Sequence, residues 1–409
     1  MRGRPPRDSD SAHVLFLSLL YKPSLKYPFM DPSEYDERCL RCGKCVDACS
    51  QYSDVDIIDS LIDYLSNGKE TGYDITLCLT CGKCESVCPE DLSLKLLIKE
   101  ARLKRVSAVG LSDINFICDP GYDRNIFKTA AEVEEPLHFE PRKADVVYYP
   151  GCYSSYIHKT MVLAITRLME RAGVDFSVLD GLDYCCGLAA AGTGNPAVIK
   201  ANGPKVIAKL REMGAKKVVV SCPGCFMALS KAYPGMFGPL GFEVVQASQF
   251  LGDLIDQGKL VPGDKAGGKV FYHDPCHLTR GAGMFKEPRD LLERVPGTQL
   301  MNPDPQGSGC CGFGGGVRLN HPTESIKASC LEHEQVASEG GDIIITNCAG
   351  CRQNLIEGRP ADGPMVYDLA EYMLLSLGEG VPRNDEAMID IVNKAYERGV
   401  RGYKRPKTC

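Results

Sequence analysis

The sequence lacks three features that would each indicate a different class of protein. Its longest apolar run, residues 13–21, is far shorter than the roughly 20 residues that a membrane-spanning helix needs. It has 47 basic and 53 acidic residues, and so no excess of positive charge for binding nucleic acid. No glycine-rich nucleotide fingerprint follows a predicted strand, so we expect no flavin or nicotinamide site on this chain.

The amino-terminal region matches a signal peptide only in part. Arg2, Arg4 and Arg7 precede the apolar run, but no cleavage site of small residues follows it. We therefore expect residues 1–30 to form a loosely attached tail or a docking segment, with Met30 as an alternative start of the chain.

Cysteine, by contrast, is abundant, with 21 residues in a chain of 409. Secreted disulfide scaffolds are usually short and lack large cores, whereas this chain is long and 44% hydrophobic. Its cysteines fall in CxxC and CC groups, which are typical of metal ligands. We expect a reducing compartment, hence a cytoplasmic protein, peripheral to the membrane only if a partner subunit holds it there.

Two similar runs of four cysteines lie between residues 31 and 105. Each has the spacing C-x2-C-x2-C-x3-C, the bacterial ferredoxin pattern for two cubane [4Fe–4S] clusters, in which the fourth cysteine crosses to the other cluster. The first cluster is thus assigned to Cys39, Cys42, Cys45 and Cys88, and the second to Cys78, Cys81, Cys84 and Cys49. Zinc is the alternative, although zinc sites rarely need four cysteines packed so closely.

A pattern of five cysteines occurs twice between residues 144 and 375. The spacings are C-x32-CC-x35-C-x2-C and C-x33-CC-x36-C-x2-C, so the two copies agree within one residue. The first copy contains Cys152, Cys185, Cys186, Cys222 and Cys225, and the second contains Cys276, Cys310, Cys311, Cys348 and Cys351. Such agreement indicates two copies of one structural unit.

Short apolar runs precede several of these cysteines. Four of them predict strands that are buried on both faces of a parallel sheet, namely Val146–Tyr149, Lys217–Val220, Val270–Tyr272 and Ile343–Thr346. Helical stretches such as residues 159–172 and 197–213 lie between them, and this alternation predicts α/β units. The cysteines then follow the carboxyl ends of strands, where ligand sites gather in open parallel sheets.

The sequence therefore predicts an α+β multidomain chain. A helical dicluster ferredoxin-like domain, with a linking helix near residues 56–66, precedes two α/β modules with Rossmann-like parallel sheets related by a pseudo-two-fold axis. The predicted divisions are a tail (1–30), the ferredoxin-like domain (31–105), a linker (106–143), the first module (144–262), the second module (263–380), and a carboxyl-terminal helix with a basic tail (381–409).

The repeated motifs resemble those of the cysteine-rich CCG family, through Cys185-Cys186-Gly187 and Cys310-Cys311-Gly312. The whole layout is similar to the catalytic iron–sulfur subunit of heterodisulfide reductase from methanogens, in the form that fuses the electron-transfer and catalytic subunits. The resemblance implies one noncubane [4Fe–4S] cluster on the five cysteines of each module, with a disulfide substrate between the clusters. Both modules keep all five cysteines, which favours the disulfide-reducing branch over relatives with degenerate modules.

The residues themselves agree with this chemistry. Adjacent cysteines such as Cys185 and Cys186 point apart, so they suit different irons of an extended cluster better than one ion. Glycines beside the ligands, among them residues 314–316, allow a close approach of the backbone to sulfide, with ordinary turns as the alternative. Reducing a disulfide needs two electrons and two protons, so two one-electron clusters facing one S–S bond would explain the duplication.

His277 is the candidate for proton delivery, because it directly follows Cys276. In the resembled reductase a histidine beside the corresponding cysteine lies at the substrate site, which implies that His277 donates a proton to the departing thiolate. The alternative is that His277 only bonds backbone or a cluster sulfide. The first module has Tyr153 at the corresponding position, and tyrosine is a poor acid at neutral pH.

Other candidates are weaker. His273 and Asp274 also flank Cys276, and three cationic residues could meet an anionic substrate or could simply be solvated: Arg280, Lys286 and Arg318. Three cysteines match no pattern, namely Cys118, Cys330 and Cys409, and the first two are interpreted as packing or incidental residues. The basic residues 398–405 are a tail that is either solvated or touches a partner.

We therefore expect the iron–sulfur subunit of a heterodisulfide-reductase-like complex. Electrons would come from a flavoprotein or a membrane cytochrome b subunit, pass the two cubane clusters and reduce a small disulfide of the coenzyme M–coenzyme B type. The first alternative is an electron-transfer subunit of a flavin complex that resembles glycolate or lactate oxidase, or fumarate reductase. The second is a non-catalytic relay whose CCG sites bind zinc.

Overall fold

The computed structural model describes residues 30–109, 125–302, 309–407 and 409. The predicted tail before Met30 and the unassigned Cys118 lie outside the described residues. Among the described residues, no helix is both long enough and apolar enough to cross a membrane.

The amino-terminal segment, residues 31–105, is helical, as predicted. Its elements are α1 (Pro32–Arg38), α2 (Lys44–Asp47), α3 (Ile57–Asn67), a 3-10 turn (Ile75–Leu77), α4 (Lys83–Ser86) and α5 (Leu94–Val109). Helix α3 buries Ile57, Ile58, Leu61 and Tyr64 at helical spacing and packs them toward α5. The short helices α2 and α4 each contain the third cysteine of a run, Cys45 and Cys84, and their contact brings the two runs together.

Two four-stranded parallel sheets follow, which confirms the predicted pair of α/β modules. The strands are β1 (Val146–Tyr149), β2 (Phe176–Val178), β3 (Lys217–Val220), β4 (Glu243–Gln246), β5 (Gly268–Tyr272), β6 (Thr298–Leu300), β7 (Ile343–Thr346) and β8 (Met365–Asp368). The first sheet has the order β2-β1-β3-β4 and the second the order β6-β5-β7-β8. The two modules therefore share one topology as well as one cysteine pattern.

Helices and tight turns connect these strands. Those of the first module and the segment before it are α6 (Ile126–Val133), α7 (Cys152–Tyr156), α8 (Lys159–Arg171), a 3-10 turn (Leu182–Tyr184), α9 (Leu188–Gly192), α10 (Ala197–Glu212), α11 (Pro223–Met227), a π-helical turn (Ala228–Ala232), α12 (Tyr233–Phe237) and α13 (Ala247–Asp256). Those of the second module and the segment after it are a π-helical turn (His277–Gly281), α14 (Glu287–Glu293), α15 (Val317–Asn320), α16 (Pro322–Ser338), α17 (Ala349–Glu357), α18 (Leu369–Ser376) and α19 (Asp385–Gly399).

One apolar core crosses from the first module to the second. It contains Leu168 of α8, Leu251 of α13, Leu292 of α14 and Leu374 of α18, all 0–1% exposed. Helix α8 packs on α18, and α13 packs on α14. Burying each such leucine contributes about 1.5–3 kcal/mol, so the two modules are held together as one body.

Segments for which the sequence predicted no regular packing lie against the modules. Helix α6 lies within the predicted linker and packs on α19, where Thr129 Oγ1 donates a hydrogen bond to the Ala395 carbonyl at 3.1 Å. In the basic tail, Arg405 pairs with Asp390 at 2.8 Å. The expectation that Cys330 is a packing or incidental residue is wrong, because it forms a disulfide with Cys409 across a Cα–Cα distance of 5.9 Å.

Candidate iron–sulfur sites

The first predicted cubane site is a cavity near the amino-terminal surface. The residues that line it include Cys39, Cys42, Cys45 and Cys88, together with Tyr35 and Leu40. The empty space between them is about 330 Å³ and is partly open to solvent. The structure thus brings the fourth cysteine of the second run beside the first three of the first run. Tyr35 is buried, whereas Cys42 is exposed at the mouth.

The second predicted cubane site lies deeper. Burial raises the pKa of the Cys78 thiol, and the nearby thiols of Cys81 and Cys49 raise it further. Burial likewise raises the pKa of Cys84, with Cys78 as its first electrostatic neighbour. Cys49, the fourth cysteine of the first run, therefore lies beside the second run, just as Cys88 of the second run lies beside the first.

In the first CCG module the adjacent cysteines point to different partners. The Sγ atoms of Cys185 and Cys152 are 3.5 Å apart, and those of Cys186 and Cys225 are 3.4 Å apart. Contact with Cys225 lowers the pKa of Cys222 to about 7, although burial opposes this shift. All five predicted ligands of this module therefore gather at the carboxyl ends of β1 and β3.

The second module repeats this arrangement. Cys310 contacts Cys276, whereas Cys311 contacts Cys351. The backbone N–H of Cys351 donates to Cys348 Sγ at 3.5 Å. Thiolates grouped in this way are the ligands that iron–sulfur clusters use, so the residues fit such a cluster in each module, while the ligand assignment itself stays a prediction.

The two modules present their cysteine loops to each other. The turn His277–Gly281 of the second module packs on α11 of the first, so that a Cβ on Gly224 would lie 4.0 Å from His277 Nδ1. Conversely, α7 of the first module contacts α17 of the second, and the Tyr153 ring meets Phe313 at a centroid distance of 5.2 Å. This reciprocity places the two five-cysteine groups on facing sides of one junction.

The residues that follow the first cysteine of each module have different surroundings. Burial, together with Lys99 and Lys95, lowers the pKa of His277 to about 4, so its ring is neutral at neutral pH and has one N–H to donate. Burial raises the pKa of Tyr153 well above its ordinary value, and its hydroxyl lies 2.6 Å from that of Tyr396. His277 therefore faces the junction, while Tyr153 faces α19. A role of His277 in proton transfer stays a prediction.

The ferredoxin-like segment meets the second module at its cysteines. The side chain of Cys81 contacts that of Cys310, and this contact lowers the pKa of Cys81 to about 6 against the effect of burial. Arg280 Nε donates to the Cys81 carbonyl at 2.8 Å. Arg102 donates to the carbonyls of Cys78, at 2.8 Å, and Gly315, at 3.0 Å.

The glycines at residues 314 and 315 make a close contact that the sequence did not predict. A Cβ on Gly315 would lie 2.1 Å from the Cys78 carbonyl, and one on Gly314 would lie 2.7 Å from the Leu79 carbonyl. Gly315 also has a φ of 64°. These glycines therefore admit the backbone of the second cysteine run, which belongs to another part of the chain.

The candidate anion-binding cations have protein partners. Arg318 is buried and pairs with Glu357 at 2.7 Å, and Lys286 pairs with Asp290 at 3.1 Å. Arg280 donates its hydrogen bond to the Cys81 carbonyl of the ferredoxin-like segment. Arg318 and Arg280 thus have structural roles, whereas Lys286 is a solvated surface residue.

Sequence reasoning missed a buried polar pair behind the second module. His273 Nδ1 lies 2.6 Å from a carboxylate oxygen of Glu332, and a ring nitrogen of His273 lies within 4.8 Å of the sulfurs of Cys311 and Cys351. Burial opposes protonation of His273, but Glu332 and Cys311 raise its pKa well above the ordinary value. Only the proximity of His273 to Cys276 in the sequence hinted at this pair.

Comparison with known proteins agrees with this description. The model of a 4Fe–4S dicluster domain matches residues 38–92, and that of a cysteine-rich domain, CCG, matches residues 146–230 and 270–356. One subunit of the dihydromethanophenazine:CoB–CoM heterodisulfide reductase of Methanosarcina mazei is 36% identical over 246 residues, which cover 58% of this chain and 60% of the relative.

Two further relatives have different names. The EtfAB:quinone oxidoreductase of Syntrophomonas wolfei is 30% identical over 59% of this chain and 36% of its own length. One subunit of the fumarate reductase (CoM/CoB) of Methanothermobacter marburgensis is 31% identical over 53% of this chain and 42% of its own length. The aligned regions thus span at most about three fifths of these relatives. The chain thus contains two CCG cysteine-rich domains behind a 4Fe–4S dicluster domain, and it is similar to the heterodisulfide reductase relative from Methanosarcina mazei.

Proposed function

We propose that this chain is the iron–sulfur subunit of a heterodisulfide-reductase-like complex and reduces a small disulfide, of the coenzyme M–coenzyme B type, to two thiols. The observation that carries the proposal is the pair of complete five-cysteine groups on facing sides of one junction. A single S–S bond has two sulfurs to reduce, so two equivalent groups suit it. Iron–sulfur clusters, when bound, supply the electrons one at a time.

The cysteine contacts support four ligand sets. Cys39, Cys42, Cys45 and Cys88 would hold one cubane cluster, and Cys49, Cys78, Cys81 and Cys84 the other. The noncubane clusters would be held by Cys152, Cys185, Cys186, Cys222 and Cys225 in the first module, and by Cys276, Cys310, Cys311, Cys348 and Cys351 in the second. In each module the adjacent cysteines reach different partners, as an extended cluster requires.

The exposure of the cysteines supports a direction of electron transfer, from the first cubane site toward the second CCG module. Cys42 is exposed and neighbouring Leu40 is 62% exposed, so the first cubane site is open to a donor. At the other end Cys81 touches Cys310. The donor, a flavoprotein or a membrane cytochrome b subunit, would meet a domain with an excess of acidic residues, because residues 31–105 contain 15 acidic and ten basic residues.

His277 is proposed to pass a proton to the thiolate that leaves the junction, its neutral ring giving up its one N–H while the other ring nitrogen takes up a proton from solvent. It is partly buried, it directly follows Cys276, and it faces Gly224 across the junction. His277→Gln keeps a donor N–H but cannot transfer the proton, so turnover should fall while the iron content stays constant. Turnover of His277→Gln equal to that of wild type would remove His277 from the mechanism.

Turnover of purified protein tests the function. Protein prepared without oxygen should contain about sixteen iron atoms, from four clusters of four. With reduced viologen it should reduce the coenzyme M–coenzyme B heterodisulfide. Cys310→Ser should abolish this activity, whereas Cys330→Ser, a matched change on α16 outside the ligand groups, should retain it.

Two results would contradict the proposal. About eight iron atoms with zinc in the CCG modules would support a non-catalytic relay. Full iron loading without heterodisulfide turnover, but with electron transfer to a quinone analogue, would favour the branch of the quinone oxidoreductase and fumarate reductase relatives.

A further inference from the structure

The two modules are not equivalent where their central strands end. The hydroxyl of Tyr148 is 2.9 Å from Ser221 Oγ, and that of Tyr272 donates to Asn347 at 2.7 Å. Ser221 and Asn347 each precede the first cysteine of a CxxC pair, so the two tyrosines occupy corresponding positions. The residues that follow them therefore correspond too, and they are Tyr149 in the first module and His273 in the second.

In the second module this position has a charged partner. Both carboxylate oxygens of Glu332 lie near His273 Nδ1, at 2.6 and 2.8 Å. The His273 side chain is 1% exposed and that of Glu332 is 7% exposed. The carboxylate at Nδ1 and a ligand thiolate of Cys311 at Nε2 can each only accept, so His273 satisfies both partners with a hydrogen on each ring nitrogen.

In the first module the same position has a different partner. Tyr149 donates its hydroxyl proton to the backbone carbonyl of Tyr184, not to a sulfur. Cys186, the counterpart of Cys311, contacts Cys225 and lies in an apolar cluster with Ile199 and Val206. Its side-chain partners among the described residues are other cysteines.

This difference acts on reduction potential. An N–H donated to a ligand sulfur stabilises the reduced, more negative form of a cluster and raises its potential. Cys186 and Cys311 both lie in apolar clusters, so the bond from His273 is the difference between them. The two modules would therefore accept electrons with unequal ease, although they supply the same five thiolates.

We infer that His273, oriented by Glu332, is a positioning residue that makes the second CCG site the stronger electron acceptor of the pair. This site is also the one that touches Cys81 of the ferredoxin-like segment. Electrons from the cubane pair would therefore reach the higher-potential site first. The inference rests on the proposed function, since it needs a cluster in each module.

Redox titration followed by electron paramagnetic resonance tests this assignment. Wild-type protein should show two distinct CCG potentials. His273→Phe removes the donor and should lower only the higher potential, toward the other one. Tyr149→Phe is the matched control, because it removes a hydroxyl at the corresponding position without removing a bond to sulfur, and both potentials should stay in place.

Iron analysis separates the possible failures. If wild-type protein holds no iron in the CCG modules, the proposed function fails and the inference fails with it. If both sites hold iron and His273→Phe leaves the higher potential unchanged, or shifts the lower one, only the inference is wrong. Should His273→Phe lose its cluster, Glu332→Gln keeps the shape of the pair and should still lower the higher potential. No shift in that variant overturns the inference.

Discussion

One buried arginine, Arg352, connects the two modules next to a predicted cluster ligand. Arg352 directly follows Cys351, and its Nη1 donates to His158 Nδ1 at 2.7 Å across the module boundary. Its Nη2 lies 3.1 Å from Glu371. Burial and the charge of Arg352 lower the pKa of His158 well below its ordinary value, so that ring is neutral and can accept. A buried cation needs such partners, and this one fixes the last ligand of the second module relative to the first.

Asp368 makes stability depend on pH. It caps α18 by accepting from the Ala370 N–H at 2.9 Å, and burial and Glu371 raise its pKa to about 7. Because the folded state holds this proton between about pH 4 and 7 while the unfolded state releases it, stability falls as pH rises through that range. Asp368→Asn keeps a capping oxygen, so its urea midpoint should vary less between pH 5 and 7 than that of wild type.

Asp31 is the matched control for this prediction. It caps α1, but hydrogen bonds from Ser33 lower its pKa, so its charge does not change between pH 5 and 7. Asp31→Asn should therefore keep the wild-type pH profile. If Asp368→Asn also keeps that profile, Asp368 is not the group that titrates.

Among the elements, α19 is held by a charged cluster under the second module. Arg318 donates to Tyr403 at 2.6 Å and to Glu357 at 2.7 Å, and Asn393 of α19 donates to Glu357 at 2.8 Å. The Tyr396 hydroxyl of the same helix meets Tyr153 beside a predicted ligand. The carboxyl-terminal helix thus supports the loop that carries Cys152.

Arg318→Met should cost about 3–5 kcal/mol in the free energy of unfolding, because it leaves Glu357 charged and unpaired in a buried site. Adding Glu357→Gln removes that charge, so the double variant should recover part of the loss. Chemical denaturation of the two variants measures the difference. A double variant less stable than Arg318→Met would show that the unpaired charge is not the cause.

The sequence allowed prediction of the central strands but not of the outer ones. β1, β3 and β7 have the predicted bounds, because they are continuous apolar runs buried on both faces. β2 and β6 have three residues each, and β4 begins with an exposed glutamate, so these strands lack a periodic signal. The cysteine groups follow from spacing alone. The contacts of Gly315 with Cys78 and of His273 with Glu332 join distant segments, so no local pattern predicts them.

Across the whole molecule, the cysteines extend from an exposed surface to a buried junction. Cys42 lies at the exposed end, and Cys81 contacts Cys310 at the other. A substitution of Cys81 would therefore disturb two sites at once, and it cannot separate electron entry from disulfide reduction. The exposed end offers a cleaner test.

Cys42→Ser should abolish heterodisulfide reduction by the natural protein donor, because the first cubane site loses a ligand. Reduced viologen can reach the later sites directly, so turnover with viologen should persist. Cys330→Ser should keep both activities. If Cys42→Ser loses the viologen activity while the CCG modules retain their iron, entry and reduction do not occur at separate sites.

The hydrogen bond from Arg102 to Gly315 joins residues 213 positions apart in the chain. At a synthesis rate of about 5–20 residues per second, the ribosome adds Gly315 roughly ten to forty seconds after it has added Arg102. Throughout that interval the newly made second cysteine run has no glycine surface to cover it. In a growing chain, its thiols are therefore exposed to oxidants and to stray metal ions long before the fold can enclose them.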